Sequence, residues 1–262
     1  MENIMIPRPH KIMEILKETQ AEYTFRVEYD GQTQNGQFFQ LSIPKVGEAP
    51  ISVSGRGEGY VEFTIRKTGR LTEGVFGLDK GDTLFMRGPY GNAFPVDKFE
   101  GKNLVFISGG TGLAPIKTTI NYFYDNPDKH KEVYIISGFK DINAVLFTDE
   151  LKKFEKEFHT TWCLDDSDEP GFKKGLVTKF IPDIPFKDFD DVAVIIVGPP
   201  PMMKFSAAEC LNQGVKEDDI WVSYERRMSC AVGKCGHCKI NGVYVCLEGP
   251  VFNYSFAKDL MD

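Results

Sequence analysis

The sequence predicts a small antiparallel β-barrel, a doubly wound parallel α/β sheet after it, and a short cysteine-rich tail. Three observations support this prediction. Short alternating runs separated by polar turns fill the first part of the chain. Apolar runs alternate with helical segments in the middle part, which is typical of a parallel sheet covered on both faces. Four of the six cysteines lie in the last 33 residues.

Residues 1–98 are predicted to form the barrel. Apolar and polar residues alternate in several short runs, as in strands that bury one face. Asp30-Gly31 and Lys80-Gly81-Asp82 supply turns between them. The predicted strands cover residues 24–29, 38–43, 61–66 and 83–87.

Residues 99–223 are predicted to form the α/β domain, and residues 224–262 the tail. Thr148 is placed to cap the second helix of the α/β domain, and acidic residues follow it in the first turn. The predicted strands cover residues 104–108, 133–137, 160–164, 192–197 and 220–223, and the predicted helices run through Tyr124, over 147–158 and over 201–212.

Composition and charge exclude several classes of protein. The 262 residues are 42% hydrophobic and 26% charged, which is ordinary for a globular protein. The net charge of −7 argues against a nucleic-acid or anionic-membrane surface. Met1–Met5 lacks the basic and apolar regions of a signal peptide, and no apolar run approaches the ~18 residues of a membrane helix. We therefore expect a cytoplasmic protein, in which the cysteines would not form disulfides.

The clustered cysteines have the spacing C-x4-C-x2-C-x7-C. Its first three positions match the plant-type [2Fe–2S] pattern, in which a more distant fourth cysteine completes the set. Gly233 and Gly236 allow the tight turns that direct backbone N–H groups toward a negatively charged cluster. The predicted ligands are Cys230, Cys235, Cys238 and Cys246.

Other interpretations of the cysteines stay open at this point. Structural zinc is one alternative, with His237 nearby, although zinc ribbons usually pair two such knuckles across a longer gap. Unligated thiols are the other. Cys163 and Cys210 fall in a predicted strand and a predicted helix, where free cysteines behave as small buried apolar residues.

Two turns that join a predicted strand to a predicted helix are candidate phosphate-binding sites. The first contains Gly110, Thr111, Gly112 and Pro115. It fits neither the Walker motif nor the Rossmann fingerprint, and an ordinary glycine turn is the alternative. The second strand of the domain ends in residues 137–140, which contain no acidic residue, so NADH and NADPH both stay open. The second turn contains Gly198, Pro199 and Met202, at a strand end where open α/β sheets bind ligands.

The order of these motifs resembles the ferredoxin–NADP reductase superfamily. Segments 224–230 and 233–238 look like the branch that holds dihydroorotate dehydrogenase electron-transfer subunits, hydrogenase gamma subunits and anaerobic sulfite reductase B subunits. Segment 245–252 most resembles the last two, and the sulfite reductase subunits most of all.

The resemblance implies a site for each cofactor. It implies that the barrel binds FAD, with the flavin ring beside β-strand residues and the pyrophosphate beside the following turn. It also implies that the two strand-to-helix turns bind the pyrophosphate and the nicotinamide end of NADH or NADPH. The flavin residues implied are Pro50, Ile51, Ser52, Arg66, Gly69 and Thr72.

The chain departs from the superfamily pattern in two places. Glu48-Ala49 stands where an arginine usually precedes the flavin stretch, and Val197 stands where many members have a cysteine. For the flavin residues, simpler roles are also open: Arg66 as a solvated strand residue, and Ser52 and Thr72 as turn formers.

The resemblance implies an electron-transfer subunit that oxidises NADH or NADPH. Such a protein needs no catalytic acid, base or nucleophile, because hydride passes between bound cofactors. The implied partners are a sulfite-reducing catalytic subunit with siroheme and a ferredoxin-like iron–sulfur subunit. A hydrogenase or dihydroorotate dehydrogenase partner is the first alternative. A zinc-stapled nucleotide-binding protein without redox activity is the second.

Overall fold

The computed structural model describes residues 4–260, which group by contact into two compact units. The first unit combines the chain up to Phe94 with Glu225–Pro250, and the second combines Pro95–Tyr224 with the chain from Val251. The cysteine segment therefore belongs to the same unit as the N-terminal strands. The boundaries predicted from the sequence, after residues 98 and 223, stay a prediction, because contact grouping does not test independent folding.

The N-terminal part of the first unit is a closed barrel of antiparallel strands in the order β1-β2-β5-β4-β3-β6. This confirms the predicted barrel. A one-and-a-half-turn helix, α1 (Arg70–Val75), follows the fifth strand. The strands are β1 (Arg8–Lys17), β2 (Glu22–Glu28), β3 (Phe38–Ile43), β4 (Gly47–Gly57), β5 (Tyr60–Arg66) and β6 (Thr83–Tyr90).

Strands β1 and β4 have no counterpart in the sequence prediction. Only one side chain of β1 is fully buried, so its sequence lacks the alternation that identifies a half-buried strand. Strand β4 contains Pro50 and three glycines, the first of which is its first residue, and both residue types are depleted in strands. The cross-strand pairing with β3 and β5 holds β4 in the barrel instead.

Aromatic side chains fill the barrel. Phe39 on β3 and Phe63 on β5 are at most 1% exposed, and their rings meet edge to face at 5.5 Å between centroids. Phe25 on β2 and Leu41 on β3 belong to the same buried cluster. These residues occupy the inward positions of the alternating runs, which explains why the runs form strands.

The remainder of the first unit carries the cysteines. It consists of a two-stranded hairpin, β13 (Lys239–Ile240) and β14 (Val243–Tyr244), followed by one helical turn, α5 (Val245–Glu248).

The second unit is a seven-stranded sheet in the order β10-β9-β8-β7-β11-β12-β15. All neighbouring pairs are parallel except β12 with β15 at one edge. This confirms the predicted α/β sheet and adds two strands to it. The strands are β7 (Asn103–Gly109), β8 (Val133–Phe139), β9 (His159–Leu164), β10 (Lys173–Lys174), β11 (Val192–Val197), β12 (Ile220–Ser223) and β15 (Val251–Asn253).

The helices of the second unit connect these strands. They are α2 (Leu113–Asp125), α3 (Thr148–Phe154), α4 (Pro200–Asn212) and α6 (Tyr254–Ala257). The expectation that Thr148 caps α3 is wrong: Thr148 is the first helical residue, and the residue before it, Phe147, has a left-handed φ of 55°. Phe147 is 2% exposed, so burial of its ring rather than a polar cap fixes the start of this helix.

Among residues 4–260, no helix is both long enough and apolar enough to cross a membrane.

Removing a barrel aromatic tests the core described above. We expect Phe63→Ala to lower the free energy of unfolding by about 3–5 kcal/mol, because it leaves a cavity in a close-packed core. Phe205→Ala is the control, since that side chain is 63% exposed and its loss should cost less than about 0.5 kcal/mol. Denaturant unfolding of both variants measures the difference, and equal effects would contradict the core assignment.

Candidate functional site

The cysteine segment presents sulfur atoms to backbone N–H groups. The N–H groups of Val232, Lys234 and Cys235 point at the Cys230 sulfur, at 3.4, 3.2 and 3.4 Å. The Gly233 N–H points at the Cys246 sulfur, at 3.2 Å. A cluster held by thiolates carries negative charge, and converging N–H groups are the backbone arrangement that stabilises it. The segment therefore fits an iron–sulfur cluster.

Left-handed residues make these turns. Gly233 and Gly236 have φ angles of 68° and 81°, which confirms the sequence expectation for both. Ala231 is also left-handed, with φ of 61°. This conformation could not be predicted from the sequence, because alanine rarely adopts it without surrounding contacts that enforce it.

The four clustered thiols lie close to one another. The Cys235 thiol interacts with that of Cys230, and the Cys246 thiol interacts with those of Cys238 and Cys230. A [2Fe–2S] centre takes four thiolates, two on each of its two irons, so a group of four neighbouring thiols is what it requires. Within the described part of the chain, no three His, Cys, Asp or Glu side chains converge on a single point suited to one metal ion.

The thiols differ in their surroundings. Backbone hydrogen bonding at His237, followed by Cys230, lowers the pKa of the exposed Cys235 thiol to about 7. Burial raises the pKa of the Cys246 thiol to about 12, and the Cys238 side chain adds to the shift. Metal ligation requires the deprotonated form, so binding of a cluster would displace the Cys246 proton.

A tight hairpin explains the seven-residue gap between the last two cysteines. Cys238 immediately precedes β13, and Cys246 lies in α5, directly after β14. Asn241 and Gly242 form the turn between these strands, with φ of 45° and 97°. Asn-Gly is the strongest short hairpin signal in a sequence, so this turn could have been predicted from the sequence and was missed.

Barrel residues that sequence reasoning did not single out hold both ends of the cysteine segment. Arg87 on β6 donates to the carbonyl oxygens of Ser229 and Cys230, at 2.8 and 2.7 Å. Asn92, in the turn after β6, donates through its side chain to the Glu248 carbonyl at 2.9 Å and through its backbone to Gly249 at 2.7 Å. A buried arginine is rare unless it is paired, and Arg87 is only 6% exposed. Its burial marks it as a residue with a specific role, and burial is visible only in the folded structure.

The residues expected to lie beside a flavin ring are adjacent on one strand. Pro50, Ile51 and Ser52 are half-buried on β4, opposite Gln40, Phe39 and Phe38 of β3. The structure thus places this stretch on a regular, paired strand.

The residues expected beside a flavin pyrophosphate are engaged within the chain. Arg66 ends β5, is 45% exposed and pairs with Glu22. The Thr72 hydroxyl accepts hydrogen bonds from the backbone N–H groups of Thr68 and Gly69 and donates to the Gly69 carbonyl, each at 2.9 Å. Thr72 therefore caps α1, as its turn-forming alternative predicts. Gly69 is extended rather than left-handed, with φ of −175°.

The two strand-to-helix turns of the second unit contact each other. Strands β7 and β11 are neighbours, and Ser108 pairs with Val197 at their carboxyl ends. A Cβ atom on Gly112 would lie 2.3 Å from the Val197 carbonyl oxygen, so only glycine fits there. Gly109 also contacts the second turn, since a Cβ atom on it would lie 2.6 Å from the sulfur of the flexible Met202 side chain.

This pair of turns lies where the strand order reverses. From β7, the chain adds β8, β9 and β10 on one side, and it then returns to add β11 and β12 on the other. Open α/β sheets bind ligands in the crevice at such a switch point. Gly110 and Thr111 are half-buried in the short helical turn of residues 110–112, whereas Pro115 is buried in the first turn of α2.

The other two cysteines are core residues, as expected. Cys163 on β9 and Cys210 on α4 are both fully buried. Burial raises the pKa of each thiol to about 12.

Comparison with known sequences agrees with both sites. The family described as an oxidoreductase NAD-binding domain matches residues 106–208, which include both turns. The family described as the iron–sulfur cluster binding domain of dihydroorotate dehydrogenase B matches residues 225–256, which include all four clustered cysteines. The second match favours iron and sulfur over the zinc alternative.

Two relatives align with almost the whole chain. Sulfhydrogenase 1 subunit gamma of Pyrococcus furiosus is 38% identical, covering 91% of this chain and 87% of the relative. A probable dihydroorotate dehydrogenase B (NAD(+)) electron transfer subunit of Methanocaldococcus jannaschii is 34% identical, covering 92% and 88%. The more specific expectation of a sulfite reductase subunit has no support among these relatives, which favour the first alternative instead.

The fold is shared with a structure of NADH-dependent reduced ferredoxin–NADP oxidoreductase. The TM-score is 0.79 at 22% identity, and the alignment covers 96% of this chain and 92% of the other. The two family matches support binding of a nicotinamide dinucleotide and of an iron–sulfur cluster.

Gly112→Ala tests the contact between the two turns. We expect at least a tenfold loss of NADH affinity, because the backbone of Val197 cannot yield to a methyl group at 2.3 Å and the turns must separate. Gly77→Ala is the control, since its nearest atom lies at an ordinary 3.4 Å. Titration of NADH by calorimetry measures both, and unchanged affinity in Gly112→Ala would show that the turns do not form the nucleotide site.

The clustered thiols, the amide-lined loop and the contacting turns occur in one chain. Relatives more than 30% identical over nine-tenths of this chain include sulfhydrogenase gamma subunits and dihydroorotate dehydrogenase B electron transfer subunits. This chain belongs to the family that contains sulfhydrogenase gamma subunits and dihydroorotate dehydrogenase B electron transfer subunits.

Proposed function

We propose that this protein oxidises NADH, or NADPH, and delivers single electrons through a [2Fe–2S] cluster to a hydrogenase-type catalytic subunit. The observation that carries the proposal is the cysteine segment, where four N–H groups point at ligand sulfurs in a loop fastened to the barrel. When bound, FAD would accept two electrons as hydride and release them one at a time, as a one-electron cluster requires.

The chain's own residues have positioning roles in this proposal. The crevice for the dinucleotide, at the ends of β7 and β11, would be formed by Gly110, Thr111, Gly112, Pro115, Gly198, Pro199 and Met202. Pro50, Ile51 and Ser52 would support the flavin ring on β4, with Arg66, Gly69 and Thr72 near its pyrophosphate. Because the Thr72 hydroxyl already caps α1, that residue would offer the pyrophosphate its backbone only.

The relatives guide the proposal of a partner. The two sulfhydrogenase gamma subunits of Pyrococcus furiosus are 38% and 36% identical to this chain. A dihydroorotate dehydrogenase catalytic subunit is the second candidate, because the family matching residues 225–256 is described for that enzyme. A cytoplasmic location is part of both proposals.

Cofactor analysis of anaerobically purified protein tests the redox proposal. We expect one FAD and about two irons per chain, as one [2Fe–2S] centre contains. Colourless protein with one zinc and no flavin would overturn the proposal.

Substitution of one ligand separates the two redox steps. Cys238→Ser should abolish the cluster spectrum and yet leave reduction of the flavin by NADH intact, because the nucleotide and flavin residues lie elsewhere. Cys210→Ala is the matched control, since that buried thiol lies in α4 and should leave the iron content unchanged. Loss of flavin reduction in folded Cys238→Ser would contradict the assignment of separate steps.

The partner is identified by purification of the native complex from the source cells. A hydrogenase catalytic subunit in the complex, with hydrogen-dependent reduction of NAD(P)⁺, supports the first candidate. A dihydroorotate dehydrogenase subunit with dihydroorotate-dependent NAD⁺ reduction would replace it with the second. A catalytic subunit of any other class would overturn both.

A further inference from the structure

We propose that Arg87, fixed by Glu48, is the positioning residue that fastens the first cluster ligand, Cys230, to the strand assigned to the flavin. The inference rests on the proposed function for the identity of the cluster. It concerns residues of this chain that neither the family matches nor the superfamily resemblance assigns.

Every N–H of the Arg87 guanidinium has an acceptor. Nε and Nη2 each donate a hydrogen bond to one of the two Glu48 carboxylate oxygens, at 2.8 and 2.6 Å, and so form a forked pair. The other Nη2 bond reaches the Ser229 carbonyl at 2.8 Å. Nη1 reaches the Cys230 carbonyl at 2.7 Å and the Tyr90 hydroxyl at 3.2 Å. Nη1 also contacts the Met5 sulfur at 3.8 Å, and together these acceptors fix the planar group in one orientation.

The Glu48 contact explains a departure of the sequence from its superfamily. Glu48 lies two residues before Pro50, on the strand assigned to the flavin ring, where the superfamily pattern has a basic residue nearby. The Arg87 side chain is 4% exposed and the Glu48 side chain 26%, so the carboxylate neutralises a buried charge. A buried guanidinium without a counter-charge would be strongly unfavourable. Glu48 thus stabilises Arg87 in its buried position.

Strand β3, next to β6, also contacts the cysteine segment, one residue before the carbonyls that Arg87 binds. Gln40 on β3 is opposite Pro50 on one side and Arg87 on the other. Its side-chain nitrogen reaches the Met228 carbonyl at 3.5 Å. Three consecutive carbonyls, of residues 228–230, are therefore directed at barrel side chains.

This attachment orients the backbone that faces the sulfurs. A trans peptide is planar, so its N–H points away from its C=O. With the Ser229 and Cys230 carbonyls directed at Arg87, the N–H groups of Cys230 and Ala231 must face away from it. The loop then turns at Ala231, and the next amides converge on the Cys230 sulfur. A lysine at position 87 could not reproduce this, because its single nitrogen cannot form the fork.

Three variants separate geometry from charge, with Arg26→Met as the matched control. Arg26 also forms carboxylate pairs in the barrel, with Glu14 and Glu62, and has no hydrogen bond to the cysteine segment among those described. The test uses the full-length, cluster-loaded protein. Hydrogen exchange reports the order of amides 229–235, and redox titration followed by electron paramagnetic resonance reports the cluster potential.

Arg87→Met should speed exchange of amides 229–235 at least tenfold and shorten the lifetime of the bound iron, with exchange in β2 and β5 unchanged. Arg87→Lys should speed loop exchange while leaving the potential near that of the wild type, because charge is kept and the fork is lost. The potential should fall in Arg87→Met, which leaves Glu48 unpaired, and rise in Glu48→Gln, which leaves Arg87 unpaired.

The positioning role would be overturned if amides 229–235 exchanged no faster in Arg87→Met and Arg87→Lys than in the wild type and in Arg26→Met. Potentials that shift in the same direction in Arg87→Met and Glu48→Gln would overturn the electrostatic part of the argument. Failure of the proposed function has a different signature, namely wild-type protein that contains neither flavin nor iron.

Discussion

The central constraint on this structure is that thiolate ligands need backbone N–H groups directed at them. The four N–H contacts to Cys230 and Cys246 require a chain that reverses direction within a few residues. Such a loop buries little apolar surface of its own, so it depends on a rigid support. The barrel provides that support through Arg87 at one end of the segment and Asn92 at the other.

The two strand-to-helix turns of the second unit obey a constraint of the opposite kind. Here the backbone is brought close by the absence of side chains, because Gly112 leaves room for the Val197 carbonyl. Parallel pairing of β7 with β11 aligns the two turns at the same edge of the sheet. The close approach of the two turns therefore follows from the order of the strands and from glycine, without any charged side chain in either turn.

The expectation of a sulfite-reducing partner rested on the tail segment, residues 245–252. The structure assigns most of these residues to packing. Cys246 lies in a single helical turn, Val245 is fully buried, and Val251 and Phe252 belong to an edge strand of the sheet. Residues that serve the fold carry little information about a partner. Relatives that align over the whole chain are better evidence, and they are hydrogenase and dihydroorotate dehydrogenase subunits.

The sequence by itself determined the barrel, the parallel sheet, the four clustered thiols and the two glycine turns, because periodicity, spacing and glycine content are local properties. It did not reveal β1, β4 or the left-handed Ala231, whose conformations depend on neighbouring strands and contacts. Only the tertiary structure decided that Glu48, Arg87 and Cys230 meet. These residues are far apart in the chain, and their hydrogen bonds exist only once β4, β3 and β6 lie side by side in the barrel.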